Sequence, residues 1–160
     1  MFDFAPRPDL PKPELYSALA RAAHALVDGE RDAVANMANM AAGIWQFLPD
    51  LNWAGFYRPL GNELVLGPFI GKPACIRIPI GHGVCGTAAA LGTTQVVPDV
   101  HAFPGHIACD AESRSELVVP VMSNGQVIAV IDLDSPLPAR FDDEDAAGMQ
   151  LVAQVAALSI

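Results

Sequence analysis

The chain is expected to fold as an α+β domain, with one antiparallel sheet and helices packed mainly on one face. Three observations predict this. Apolar residues repeat at helical spacing near both ends of the 160-residue chain. Between them lie short runs rich in aromatic and β-branched residues, punctuated by Gly and Pro, which read as strands. Two of those runs flank Ser123-Asn124-Gly125, a hairpin signal.

Residues 1–13 contain four Pro and predict an extended arm, leaving residues 14–160 as a single domain. From Glu14 to Val27 the stripe Leu15, Leu19, Ala22, Ala23, Leu26 predicts a helix ended by Asp28-Gly29. A second helix is expected from Arg31 to Leu48, stopped by Pro49-Asp50. Trp53 to Arg58 and Glu63 to Phe69 form a strand pair about Leu60-Gly61-Asn62, and Ile76 to Ile80 is a further short strand. Gly81-His82-Gly83 leads into a short helix, Val84 to Leu91, followed by a strand at Gln95 to Val97. Residues 98–115 read as a polar loop, long enough inside a compact domain to be functional. Strands Glu116 to Met122 and Gln126 to Asp134 follow, then a helix from Phe141 to Ile160 whose acidic start suits the helix dipole.

Composition narrows the function. Apolar residues are 52% of the chain and charged residues 17%, the profile of a core-rich domain. Nine Lys and Arg against 18 Asp and Glu give a net charge of −9, with no basic run. That argues against nucleic acid and against an anionic membrane surface as partners. No secretory leader pattern is visible and no stretch reads as a membrane span, so a cytosolic location is expected. Three cysteines, an odd number, do not suit a static disulfide framework.

The hairpin register decides where three carboxylates go. With Ser123-Asn124-Gly125 as a three-residue loop, Met122 faces Gln126 and Glu116 faces Asp132, which shares its face with Asp134. With a two-residue loop, Asn124-Gly125, Glu116 falls on the opposite face. The three-residue register is the expectation; it gathers Glu116, Asp132 and Asp134 into a cluster whose mutual repulsion raises proton affinity. Trp53 and Tyr57, four apart on a strand, share a face and serve either as a pocket wall or as core.

Cys75, Cys85 and Cys109 fit no common metal spacing. Cys85 stands near a helix N-terminus, a position that can lower a thiol pKa. Cys109 lies in the long loop, three residues after His106, where substrate can reach it. His101, His106 and Cys109, with Asp99 and Asp110 nearby, offer a metal alternative, but zinc ligands usually come as a tight pair plus a distant pair. No metal is expected.

The runs GPFIGKPACIRIPIGHGVCGTA, PDVHAFPGHIACDAESRSELVVP and IAVIDLDSP closely resemble the free methionine-(R)-sulfoxide reductases, which are single GAF-domain enzymes. The resemblance implies a six-stranded antiparallel GAF sheet, a homodimer, and reduction of free methionine (R)-sulfoxide with electrons from thioredoxin and ultimately NADPH, without a bound cofactor. It implies Cys109 as the nucleophile, Cys75 as the resolving thiol and Cys85 as an alternative resolving or relay thiol. It also implies Glu116, Asp132 and Asp134 as pocket acids beside an aromatic wall of Trp53 and Tyr57. A non-catalytic GAF module that senses a small molecule is the reading from another functional class, since the fold hosts both.

Overall fold

The computed structural model describes residues 9–105 and 110–160. The predicted elements are present in the predicted order. Helices α1 (Lys12–Val27) and α2 (Ala33–Phe47) precede strands β1 (Trp53–Leu60), β2 (Glu63–Gly71) and β3 (Arg77–Pro79). Helix α3 (Gly83–Leu91), β4 (Gln95–Val97), a 3-10 turn (Val100–Ala102), β5 (Ser115–Ser123), β6 (Gln126–Ser135) and α4 (Asp143–Ala157) complete the chain. The six strands form one sheet in the order β3-β2-β1-β6-β5-β4, antiparallel throughout.

Local chemistry accounts for the helix starts. Pro lies in the first turn of α1, where its missing N–H costs nothing. The Asp32 side chain accepts from Ala35 N at 2.8 Å to cap α2. Asp142 and Asp145 form a reciprocal capping box on α4, satisfying amides that would otherwise be orphaned.

Strand alternation divides the interior into two cores. Ala54, Phe56, Leu117, Val119, Val121, Ala129, Ile131 and Leu133 meet α1, α2 and α4 on one face. Trp53, Tyr57, Val118 and Val130 face the other way, toward α3 and its Val84, Cys85 and Ala88. The three long helices thus cover one face, and α3, joined by Val100 of the 3-10 turn, crosses the face that carries the site.

The hairpin corrects the expected register. Ser123 pairs with Gln126, so the loop has two residues, and Asn124 (φ 51°) and Gly125 (φ 77°) take the left-handed backbone that a tight hairpin turn needs. Glu116 pairs with Asp134, not with Asp132. A two-residue loop alone would have turned Glu116 away from the acids. A β-bulge restores the parity: Met122 pairs with Val127 but Val121 pairs with Ala129, so one extra residue enters β6. The three carboxylates therefore share a face, as expected, through a different register.

Candidate active site

The site is built on the middle of the sheet. Trp53, Gly55 and Tyr57 alternate onto the α3 face of β1, opposite Asp134, Asp132 and Val130 of β6. Glu116 arrives from β5 as the partner of Asp134. The Trp53 and Tyr57 rings stack with centroids 5.9 Å apart, and Phe69 of β2 stacks on Trp53 at 5.2 Å. Gly55 makes this possible: a Cβ there would lie 2.7 Å from the Trp53 ring and 2.4 Å from Phe69 Cβ.

Two segments close over this floor. The stretch from β2 to β3 carries Lys72, Pro73, Ala74 and Cys75, and the aromatic wall holds it: Trp53 Nε1 donates to the Lys72 carbonyl at 3.2 Å and the Tyr57 hydroxyl donates to the Cys75 carbonyl at 2.9 Å. The loop before β5 supplies Asp110 and Ser113, both reached by Asn52 Nδ2 at 3.2 and 3.0 Å. Lys72 pairs with Asp110 and Glu112, joining the two segments across the mouth. Together with the N-terminus of α3 they enclose a pocket lined by Trp53, Tyr57, Cys85, Glu116, Asp132 and Asp134.

Electrostatics in the pocket run against ionisation. Burial pushes Glu116 well above the usual carboxylate range, and the neighbouring Asp132 and Asp134 push it further. Burial likewise raises Asp134, with Asp132 adding to it, and raises Asp132 to about 6. Asp110, at the rim, goes the other way: the Glu112 amide and Lys72 hold its carboxyl below the usual range. The arrangement can therefore offer a neutral carboxylic acid as a proton donor near neutral pH.

Cys85 differs from its sequence reading. Its place at the start of α3 suggested a lowered pKa, but the thiol is buried and is pushed well up by that burial and by the nearby Asp132 and Glu116. Its Sγ stands 4.0 Å from Glu116 Oε1. One ligand atom from each of Cys85, Glu116 and Asp132 lies within 4.8 Å of the others, the potential cation-holding group among the described residues.

Of the residues singled out in the sequence, Trp53, Tyr57, Cys85, Glu116, Asp132 and Asp134 converge on this pocket. Cys75 borders it through the Tyr57 bond. Cys109 and His106 lie outside the described residues; Cys109 directly precedes Asp110, which lines the pocket. His101 is exposed on the 3-10 turn, where the Asp99 side chain caps its amide at 3.0 Å. Sequence reasoning missed Lys72, Ser113 and Gly55. Only Gly55 left a signal, as the small residue between two aromatics of equal parity.

Comparison with known proteins accords with this geometry. A family model described as GAF domain matches residues 13–160. The chain is 52% identical over 145 residues to the free methionine-R-sulfoxide reductase of Escherichia coli K12, covering 90% of this chain and 88% of that protein. It is 44% identical over 155 residues to the Saccharomyces cerevisiae protein of the same name, covering 92% and 86%.

The chain belongs to the free methionine-R-sulfoxide reductase family of GAF domains. Structural similarity agrees. The X-ray structure of the free methionine-R-sulfoxide reductase from Neisseria meningitidis, in complex with its substrate, superposes with a TM-score of 0.94 at 43% identity. That match covers 99% of this chain and 95% of the other. The expected GAF fold and six-stranded sheet are those of the family, and the reductase relatives are oxidoreductases. None of the described helices is long and apolar enough to cross a membrane.

Proposed function

We propose that this chain reduces free methionine (R)-sulfoxide to methionine by thiol chemistry. The observation that carries the reading is the floor of buried Glu116 and Asp132 and half-buried Asp134 beneath the stacked Trp53 and Tyr57, on a chain 52% identical to a reductase of that name. The aromatic wall suits the S-methyl end of the substrate. An ionised member of the acid floor suits the ammonium of a free amino acid, and a protonated member suits the sulfoxide oxygen.

In this mechanism the Cys109 thiolate attacks the sulfoxide sulfur while a neutral carboxylic acid protonates the oxygen. The S–O bond breaks, methionine leaves and Cys109 carries the oxygen as a sulfenic acid. The Cys75 thiol condenses with it, releasing water and forming a disulfide. The dithiol of thioredoxin then reduces that disulfide by exchange, so two electrons pass ultimately from NADPH to the sulfoxide. Cys85, buried and held protonated, fits a relay or alternative resolving role better than that of first nucleophile. The reading includes a cytosolic homodimer that needs no bound cofactor.

The test is NADPH consumption with thioredoxin, thioredoxin reductase and each free methionine sulfoxide epimer. Turnover is expected with the R epimer and abolished in Cys109→Ser, while Cys75→Ser keeps a single turnover per chain but slows recycling. A wild type that binds the sulfoxide without consuming NADPH would establish the sensor reading instead.

A further inference from the structure

We propose that Cys85, Glu116 and Asp132 form a zinc site, so that the divalent ion and the pocket's small-molecule ligand exclude one another. The geometry is partly assembled. One atom from each residue already lies within 4.8 Å of the others, with Cys85 Sγ 4.0 Å from Glu116 Oε1. Tetrahedral zinc bound by sulfur and oxygen spaces its ligand atoms roughly 3.5 Å apart, so closure needs side-chain shifts of about an ångström or less. Glu116 and Asp132 stand on adjacent strands in a stretch of unbroken pairing, and Cys85 stands in the first turn of α3, so three elements set the ligand positions.

An independent feature points to a ligand there. Asp132 is 7% exposed and lines the pocket, yet its Oδ1 has no hydrogen-bond partner among the described residues. A buried carboxylate oxygen left without a partner is costly, and a cation supplies what it lacks. The donor set selects the ion. One thiolate and two carboxylates suit zinc, whereas calcium takes six to eight oxygens and magnesium keeps much of its water. Three protein ligands leave the fourth position facing the pocket, the arrangement of an open zinc site. On binding, Cys85 and whichever of Glu116 and Asp132 is protonated release their protons to solvent, and sulfur and carboxylate oxygens bond the metal; no electron moves.

The test uses zinc itself on the reduced full chain, in competition with a chromophoric chelator, and cobalt as a spectroscopic stand-in. One zinc per chain is expected, with Cys85→Ser and Asp132→Asn each weakening binding at least about tenfold. The Cys75→Ser/Cys109→Ser double variant should keep full stoichiometry. Cobalt on the wild type should show a thiolate charge-transfer band and tetrahedral d–d bands, a readout that needs no Cys85 variant to fold. Zinc binding that is absent, undiminished by Cys85→Ser, or lost in the double variant would overturn the site. Exclusion is read by adding free methionine (R)-sulfoxide and rests on the proposed function. Zinc bound through Cys85 but not displaced by the sulfoxide overturns the shared occupancy and counts against the substrate assignment, while the metal site stands.

Discussion

The Tyr57 hydroxyl donates to the carbonyl of Cys75 at 2.9 Å, tying the aromatic wall of the pocket to the segment that carries the proposed resolving thiol. The bond gives Tyr57 a second task besides walling the pocket, because it sets where the Cys75 backbone sits relative to the floor. Tyr57→Phe keeps the ring and removes this bond. It should cost about 1 kcal/mol of stability by denaturant titration. In turnover assays it should slow disulfide formation severalfold while leaving the first sulfoxide reduction within about twofold, a split that stopped-flow fluorescence can resolve. An equal loss in both steps would assign Tyr57 to substrate binding alone.

The buried acids predict an unusual pH dependence of stability. In the unfolded chain Asp132 ionises near its ordinary value of 3.8, whereas in the fold it keeps its proton to about 6. Between those values the folded state binds more protons, so this group's contribution to stability falls as pH rises through the window from about 4 to 6. Glu116 and Asp134, also raised, extend the loss to higher pH. Asp132→Asn should therefore raise the unfolding free energy at pH 7 by on the order of 1 kcal/mol or more, and change it little at pH 4. It should also lower kcat by roughly a hundredfold if Asp132 is the proton donor. A variant less stable than wild type at pH 7 would refute the raised pKa.

Gly55→Ala should damage the pocket without touching a polar group. The added methyl would meet Phe69 Cβ at 2.4 Å, the Trp53 ring at 2.7 Å and the Phe69 backbone at 2.8 Å. Backbone cannot give way as a side-chain tip can, so Trp53 must leave its stack. The expected cost is about 1–3 kcal/mol, with KM rising more than kcat falls. A variant with wild-type stability and KM would mean that the β1–β2 pair can spread at this point.

On the opposite face, Gly148 of α4 lies against Tyr16, where a Cβ would come 2.1 Å from the ring. Tyr16 cannot retreat easily, because its hydroxyl donates to the buried Asp145 at 2.8 Å and Asp145 also binds Lys12 and Arg140. Gly148→Ala should cost at least about 2 kcal/mol, and pairing it with Tyr16→Phe should cost less than the sum of the two single changes. Additive losses in that double-mutant cycle would show that the two positions do not share a constraint.

The site was legible in the sequence wherever period-2 alternation sufficed. Trp53 and Tyr57 share a face by parity, and Asp132 and Asp134 do so two apart, with no tertiary information required. The partner of Glu116 was not legible, because it depends on a bulge whose only cause in sequence is one additional residue in a continuous apolar run. Cys85 was misread for a related reason. A helix N-terminus is a local feature, whereas the burial and the acids that dominate its thiol come from strands 31 and 47 residues further along. Lys72 gave no signal at all, since an exposed lysine in a loop is unremarkable until Asp110 and Glu112 are seen opposite it.

The bulge between Val121 and Met122 has a consequence for how this fold tolerates change in length. Substitutions at the exposed tip of the β5–β6 hairpin, Met122 and Gln126, should cost little. Removing a single residue between Val127 and Ala129 is different in kind. It would leave every acid in place along the chain and yet set Glu116 and Asp134 on opposite sides of the sheet, one of them driven into the helix-covered core. The acid cluster thus depends on an odd-or-even count carried by Ile128, which is outside the pocket lining, and loop-shortening designs for this scaffold must change β6 by two residues or not at all.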